Sequence, residues 1–164
     1  MKRILVVIDM QKGTTLGGYF GQYLNLKWWK RYRNVIARIK TLTEQMDTIF
    51  QVHTGFRREE FLEVIPELES IAKQASPVLK NQDDGSLELA RIIPRGTHIY
   101  VCGMNSDACV IRTVRGLVAK GYTVTVVGDA CWSVYASPSP KEHWNALRAM
   151  RRSGIEIIKT KAVR

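Results

Sequence analysis

Apolar runs and helix-spaced apolar stripes alternate along the whole chain, a pattern that predicts an α/β domain with a mainly parallel sheet. Arg3 to Ile8 is apolar almost throughout, as a strand covered on both faces should be. From Leu26 to Leu42, the positions Trp28, Tyr32, Val35, Ile36, Ile39 and Leu42 mark an amphipathic helix. Asp47 to His53 reads as a second strand ended by Thr54-Gly55. Phe61, Leu62, Ile65, Leu68 and Ile71 keep helical spacing across Pro66, which predicts one broken helix or two short ones.

Pro77 to Lys80 is a short third strand that runs into the turn-rich Asn81-Gln82-Asp83-Asp84-Gly85, with a helix near Leu87 to Ile92. His98 to Cys102 is the fourth strand, followed at Gly103 by a tight polar turn. The helix after it carries Val110, Ile111, Val114, Leu117 and Val118 on one stripe. Tyr122 to Val127 is the fifth strand, ending at Gly128-Asp129. Ser139 as N-cap, Pro140 at the first helical position and Glu142 form a capping box for a last helix. Gly154 ends that helix and Ile155 to Ile158 supplies a sixth strand.

A length of 164 residues fits one domain, residues 1–164, with a core that needs neither disulfides nor metal. The N-terminal apolar run is too short for a signal peptide and ends in Asp9, and no stretch approaches membrane-spanning length. Three cysteines, an odd number near strand ends, point to reduced thiols and a cytoplasmic protein. The formal charge of +10 would suit a polyanion such as nucleic acid. The lysines and arginines are spread over helix faces and the tail, however, so they read as a solvated basic surface.

Three chemically useful residues sit at strand ends, where open parallel sheets hold their ligands. They are Asp9 after the first strand, Lys80 at the end of the third and Cys109 just beyond the fourth. Each alone has a plain reading: a helix cap, a solvent-facing lysine, a packed thiol. Together they suit nucleophilic catalysis, in which a carboxylate takes the thiol proton and an ammonium steadies the anions. Cys109 falls at a helix start, where unpaired N–H groups favour a thiolate. No phosphate loop is present, and Gly17, Gly18 and Gly21 lack dinucleotide spacing.

These blocks, Asp9-Met-Gln11, Lys80, Gly103-Met-Asn-Ser-Asp-Ala-Cys109-Val and Gly121 to Ala130 with His143 downstream, resemble the isochorismatase-like cysteine hydrolases, which include nicotinamidases and N-carbamoyl amidohydrolases. The resemblance implies a three-layer α/β/α fold, Rossmann-like, with strand order 3-2-1-4-5-6. It implies that Cys109 attacks an amide-type carbonyl, that Asp9 relays its proton and that Lys80 tunes both charges. It also implies a cis peptide at Met104–Asn105 that aims the Asn105 and Cys109 N–H groups at the oxyanion.

Against the pattern of metal-containing nicotinamidases, His53 has no second histidine nearby, so no metal and no cofactor are expected. Gln11, Tyr19, His53, Phe56 and Trp132 are candidate pocket residues. The expected partners are a small amide-type substrate and further copies of the chain in a homo-oligomer, with no membrane. Two other readings keep the fold: a vinyl-ether hydrolase in which Cys109 is a bystander, and a lapsed enzyme acting as a basic scaffold for nucleic acid or protein.

Overall fold

In the computed structural model, six parallel strands form one sheet in the order β3-β2-β1-β4-β5-β6. The structure describes residues 2–12, 26–55, 63–133 and 140–163, and of residues 26–28 only the backbone. β1 (Ile4–Ile8) is wholly buried, which explains its unbroken apolar run. Burying each such side chain contributes about 1.5–3 kcal/mol. The strand lies at the centre of the sheet, between β2 (Thr48–Thr54) and β4 (His98–Met104).

α1 (Leu26–Thr43) buries the predicted stripe, Tyr32, Val35, Ile36, Ile39 and Leu42, against β1, β4 and β5. Half-buried Trp29 meets Tyr32 edge-on, with ring centroids 5.8 Å apart. After β2, the segment around Pro66 splits into a 3-10 turn, Pro66–Leu68, and one short helical turn, α2 (Glu69–Ala72). Pro66 stands at the start of the first piece, where its missing N–H costs nothing. Phe61 and Leu62 lie outside the described residues. β3 (Ser76–Lys80) and α3 (Ser86–Ala90) follow, and α4 (Ile111–Ala119) packs on α3 and β5.

β5 (Thr123–Trp132) is longer than its sequence predicts, because Gly128-Asp129 interrupts the strand without ending it. Between the pairs Val101–Val126 and Gly103–Cys131, β5 has four residues, 127–130, where β4 has one, Cys102. Asp129 lies in that irregularity. Its carboxylate accepts hydrogen bonds from the Thr160 N–H at 2.8 Å and hydroxyl at 2.9 Å, and pairs with Arg38 at 3.2 Å. The charged group thereby anchors the bulge, and pairing resumes with Cys131 and Trp132.

α5 (Lys141–Arg152) begins one residue later than the capping-box pattern predicts. Pro140 occupies the N-cap and its carbonyl accepts from the Trp144 N–H at 3.1 Å, while Ser139 lies outside the described residues. Gly154, at a φ of +81°, turns the chain into β6 (Glu156–Ile158). No helix among the described residues is long and apolar enough to cross a membrane.

Candidate active site

The site begins where β1 and β4 end side by side. Gly103 faces Ile8 in register, at a φ of +117°, and a Cβ there would lie 2.2 Å from the Ile8 carbonyl oxygen. Only glycine lets the two backbones approach this closely. The next peptide bond but one in the chain, Met104–Asn105, is cis. Asp9, directly after β1, has a φ of 49°, and its N–H donates to the Val52 carbonyl at 3.0 Å. Its side chain is thereby turned into the protein, with no exposure at all.

Lys80 closes β3 and is equally buried. Its Nζ lies 3.0 Å from Asp9 Oδ2 and donates to the carbonyls of Gln82 at 3.0 Å and Asp83 at 3.2 Å. An ammonium has three protons, and here each has an acceptor. That completeness is what allows a charge to sit in a dry site, since an unpaired one would cost several kcal/mol. Gly85 makes room for the lysine stem: a Cβ on it would be 3.1 Å from Lys80 Cδ.

Cys109 is delivered by a widened π-type turn, Ser106–Val110, closed by the Val110 N–H on the Asn105 carbonyl at 3.0 Å. The regular helix α4 starts only at Ile111. The thiol is 7% exposed and its pKa is pushed up to about 12, by burial first and then by the negative charge of Asp9, with Lys80 pulling the other way. The thiolate expected from a helix start is therefore overruled by desolvation. The resting site holds a thiol beside a carboxylate–ammonium pair.

Asp83 is a residue that sequence reasoning passed over as part of a turn. Its carboxylate lies 3.7 Å from the Cys109 sulfur and pairs through its other oxygen with Arg112. The only available signal was its position three residues after Lys80, in the turn whose carbonyls cap the ammonium. Asp84 does take a turn role, accepting from the Ser86 N–H at 2.8 Å.

His143 reaches the nucleophile turn from α5, with Nδ1 2.9 Å from Ser106 Oγ. Its pKa is lowered to about 4, chiefly by burial and further by the Arg31 charge, so it is neutral near pH 7. Trp132, at the end of β5, packs on His143 with the ring planes tilted at 43° and the centroids 4.6 Å apart, and carries the Arg31 guanidinium 4.7 Å above its ring. Gln11 is 1% exposed, and its amide oxygen accepts from the Thr54 N–H at 2.8 Å, joining the ends of β1 and β2. His53 lies half-buried on β2, opposite Leu79. Tyr19 and Phe56 lie outside the described residues.

Among the described residues, no group of three or more His, Cys, Asp or Glu is arranged to hold a metal ion. Cys102, Cys109 and Cys131 are all free and buried.

Residues 3–162 match the family model described as the Isochorismatase domain. "Isochorismatase family protein 2A" of Dictyostelium discoideum is 34% identical over 71 residues, which are 43% of this chain and 34% of that protein. The matched stretch thus spans about a third of that curated relative's length. The nicotinamidase of Staphylococcus aureus has a similar fold, with a TM-score of 0.68, 20% identity and coverage of 96% of this chain and 99% of that one. The N-carbamoylsarcosine amidase of Thermoplasma acidophilum gives a TM-score of 0.71 at 17% identity, covering 99% of each chain. With a family model matched over nearly its whole length and the same six-stranded sheet, this chain belongs to the isochorismatase family.

Proposed function

We propose that this chain is a cysteine hydrolase that cleaves a small amide or ureido C–N bond through a thioester on Cys109. The observation that carries the reading is the buried Asp9–Lys80 pair at 3.0 Å beside a thiol held in its protonated form. A thiol with a pKa near 12 is a poor nucleophile until a base removes its proton at the moment of attack. Asp9 is that base. Lys80 stabilises first the carboxylate and then the developing negative charge on sulfur and oxygen.

In the first half-reaction the Cys109 proton passes to Asp9 as the sulfur adds to the carbonyl carbon. The N–H groups of Asn105 and Cys109 receive the oxyanion, a contribution of roughly 3 kcal/mol per donor in other hydrolases. Asp9 returns the proton to the leaving nitrogen as the C–N bond breaks. In the second half-reaction water attacks the thioester carbonyl as Asp9 takes a proton from it, the C–S bond breaks, Asp9 returns the proton to the Cys109 sulfur, and the acid leaves. The names of two structural neighbours, a nicotinamidase and an amidase, favour amides as the substrate class.

A panel of small primary amides and N-carbamoyl compounds tests the reading, with ammonia release as the signal. Cys109→Ala is expected to lower turnover by at least about a thousandfold with an unchanged circular dichroism spectrum. A chelator is expected to change nothing, because Asp9 and Lys80 already supply the base and the cation. Near-normal activity of Cys109→Ala on a vinyl-ether substrate would replace this reading with the Cys-independent one.

A further inference from the structure

A cavity of about 500 Å3, with neither Asp9 nor Cys109 in its lining, lies in a groove between α1 and α5 over the ends of β5 and β6. This volume is in the range of small-molecule sites. Its wall has two chemistries. Val35, Leu147 and Ile157 give it apolar residues, and Arg31, Arg151 and Lys159 give it three cations. Arg38 also lines it, but Asp129 neutralises that guanidinium. Among the described residues that line the groove, Asp129 is the only acid, and Arg151 and Lys159 have no ion pair.

The second observation is independent of charge. Trp132, only 5% exposed, lines the same groove, and its indole Nε1 is buried with no hydrogen-bond partner among the described residues. A buried donor left unmade costs about 1–3 kcal/mol, so this N–H is a group in want of an acceptor. The Arg31 guanidinium stands over the face of the same ring. An oxyanion on this wall would accept from the indole and meet the cations at once, while an apolar body attached to it would lie on Val35, Leu147 and Ile157.

We infer that the α1–α5 groove is a binding site for a small organic oxyanion, a phosphate or carboxylate carried on an apolar body. Solvated surface cations alone would not explain an unsatisfied indole beneath one of them, Arg31. The site is separate from the proposed chemistry, because none of the lining residues named here contributes to the Asp9–Lys80–Cys109 cluster.

The test follows the indole N–H resonances of the four tryptophans by NMR, with Trp132 assigned by the peak lost in Trp132→Phe. The probes are phenyl phosphate, benzoate, inorganic phosphate and benzyl alcohol. Phenyl phosphate and benzoate are each expected to move the Trp132 peak to saturation, together with that of Trp144, which also lines the groove, and the Trp28 and Trp29 peaks little, and whichever binds more tightly identifies the head group. Inorganic phosphate is expected to bind at least about tenfold more weakly than phenyl phosphate, and benzyl alcohol to leave the peak in place. Arg151→Gln combined with Lys159→Gln is expected to weaken phenyl phosphate binding about tenfold.

Equal response to inorganic phosphate would remove the apolar body from the proposal. An unchanged affinity in the double variant would overturn the site. So would a peak that moves with protein concentration or with a short oligonucleotide but not with the small anions, since the groove would then belong to a second copy or to nucleic acid.

Discussion

At the ends of β1 and β3 a lysine with no exposure touches one carboxylate and two carbonyls, whereas along the α1–α5 groove Arg151 and Lys159 are exposed, with no ion pair among the described residues. The two regions handle the same kind of charge under opposite conditions. Inside the protein an ammonium survives only if every proton is matched, because desolvation costs more than any single contact returns. At the surface water supplies the matching and partners contribute little. Unpaired cations are therefore cheap in the groove and available to a ligand, while the one cation of the buried cluster, Lys80, is already committed to Asp9.

The largest effect is expected at Lys80. Lys80→Met is expected to leave Asp9 as a buried charge without its cation and to cost about 3–5 kcal/mol in urea unfolding. Adding Asp9→Asn to the same chain should recover most of that loss, because both charges are then gone. A double variant as unstable as the single one would mean that the stem of the lysine, and not its charge, is what the fold requires.

A smaller effect is expected at His143, which lies between the two regions. Its pKa falls from an ordinary value of 6.5 to about 4 on folding. Between those values the unfolded chain binds a proton that the native protein does not, so stability is fully present above pH 6.5 and is lost as the pH falls towards 4. The loss should be on the order of 2 kcal/mol, and His143→Gln should flatten it. An unflattened slope in chemical unfolding at pH 4.5 and 7 would assign the acid sensitivity to another group.

The smallest effect sharpens the contrast from the other side. Arg151→Gln with Lys159→Gln should change stability by no more than about 0.5 kcal/mol, as exposed substitutions generally do. A loss above about 2 kcal/mol in thermal unfolding would show that these cations are structural and not surplus.

Much of this architecture was legible along the chain. The unbroken apolar run of β1, the helical stripe of α1 and the alternation of the two patterns follow from burial, which leaves its period in the sequence. Boundaries were less legible where long-range contacts overrule local signals. β5 runs through Gly128-Asp129 because Arg38 and Thr160 anchor the bulge from elsewhere in the chain. α5 starts at Lys141 rather than at Pro140. The separate strand-end positions of Asp9, Lys80 and Cys109 could be read, but the contact of Asp83 with the thiol could not, since a turn-rich stretch gives no direction to its side chains.

The sequence by itself determined the order of strands and helices, the family, and which acid, base and thiol stand at strand ends, because apolar periodicity and residue chemistry are local properties. Tertiary structure alone decided the electrical state of those groups. Helix position favours a Cys109 thiolate, yet burial and the neighbouring Asp9 hold the thiol pKa near 12. It also decided that Arg31 lies over Trp132 while the indole N–H beneath goes unmatched. Desolvation and Coulomb interactions depend on distances through space, between residues as far apart in sequence as 9 and 109 or 31 and 132, and no local pattern encodes such distances.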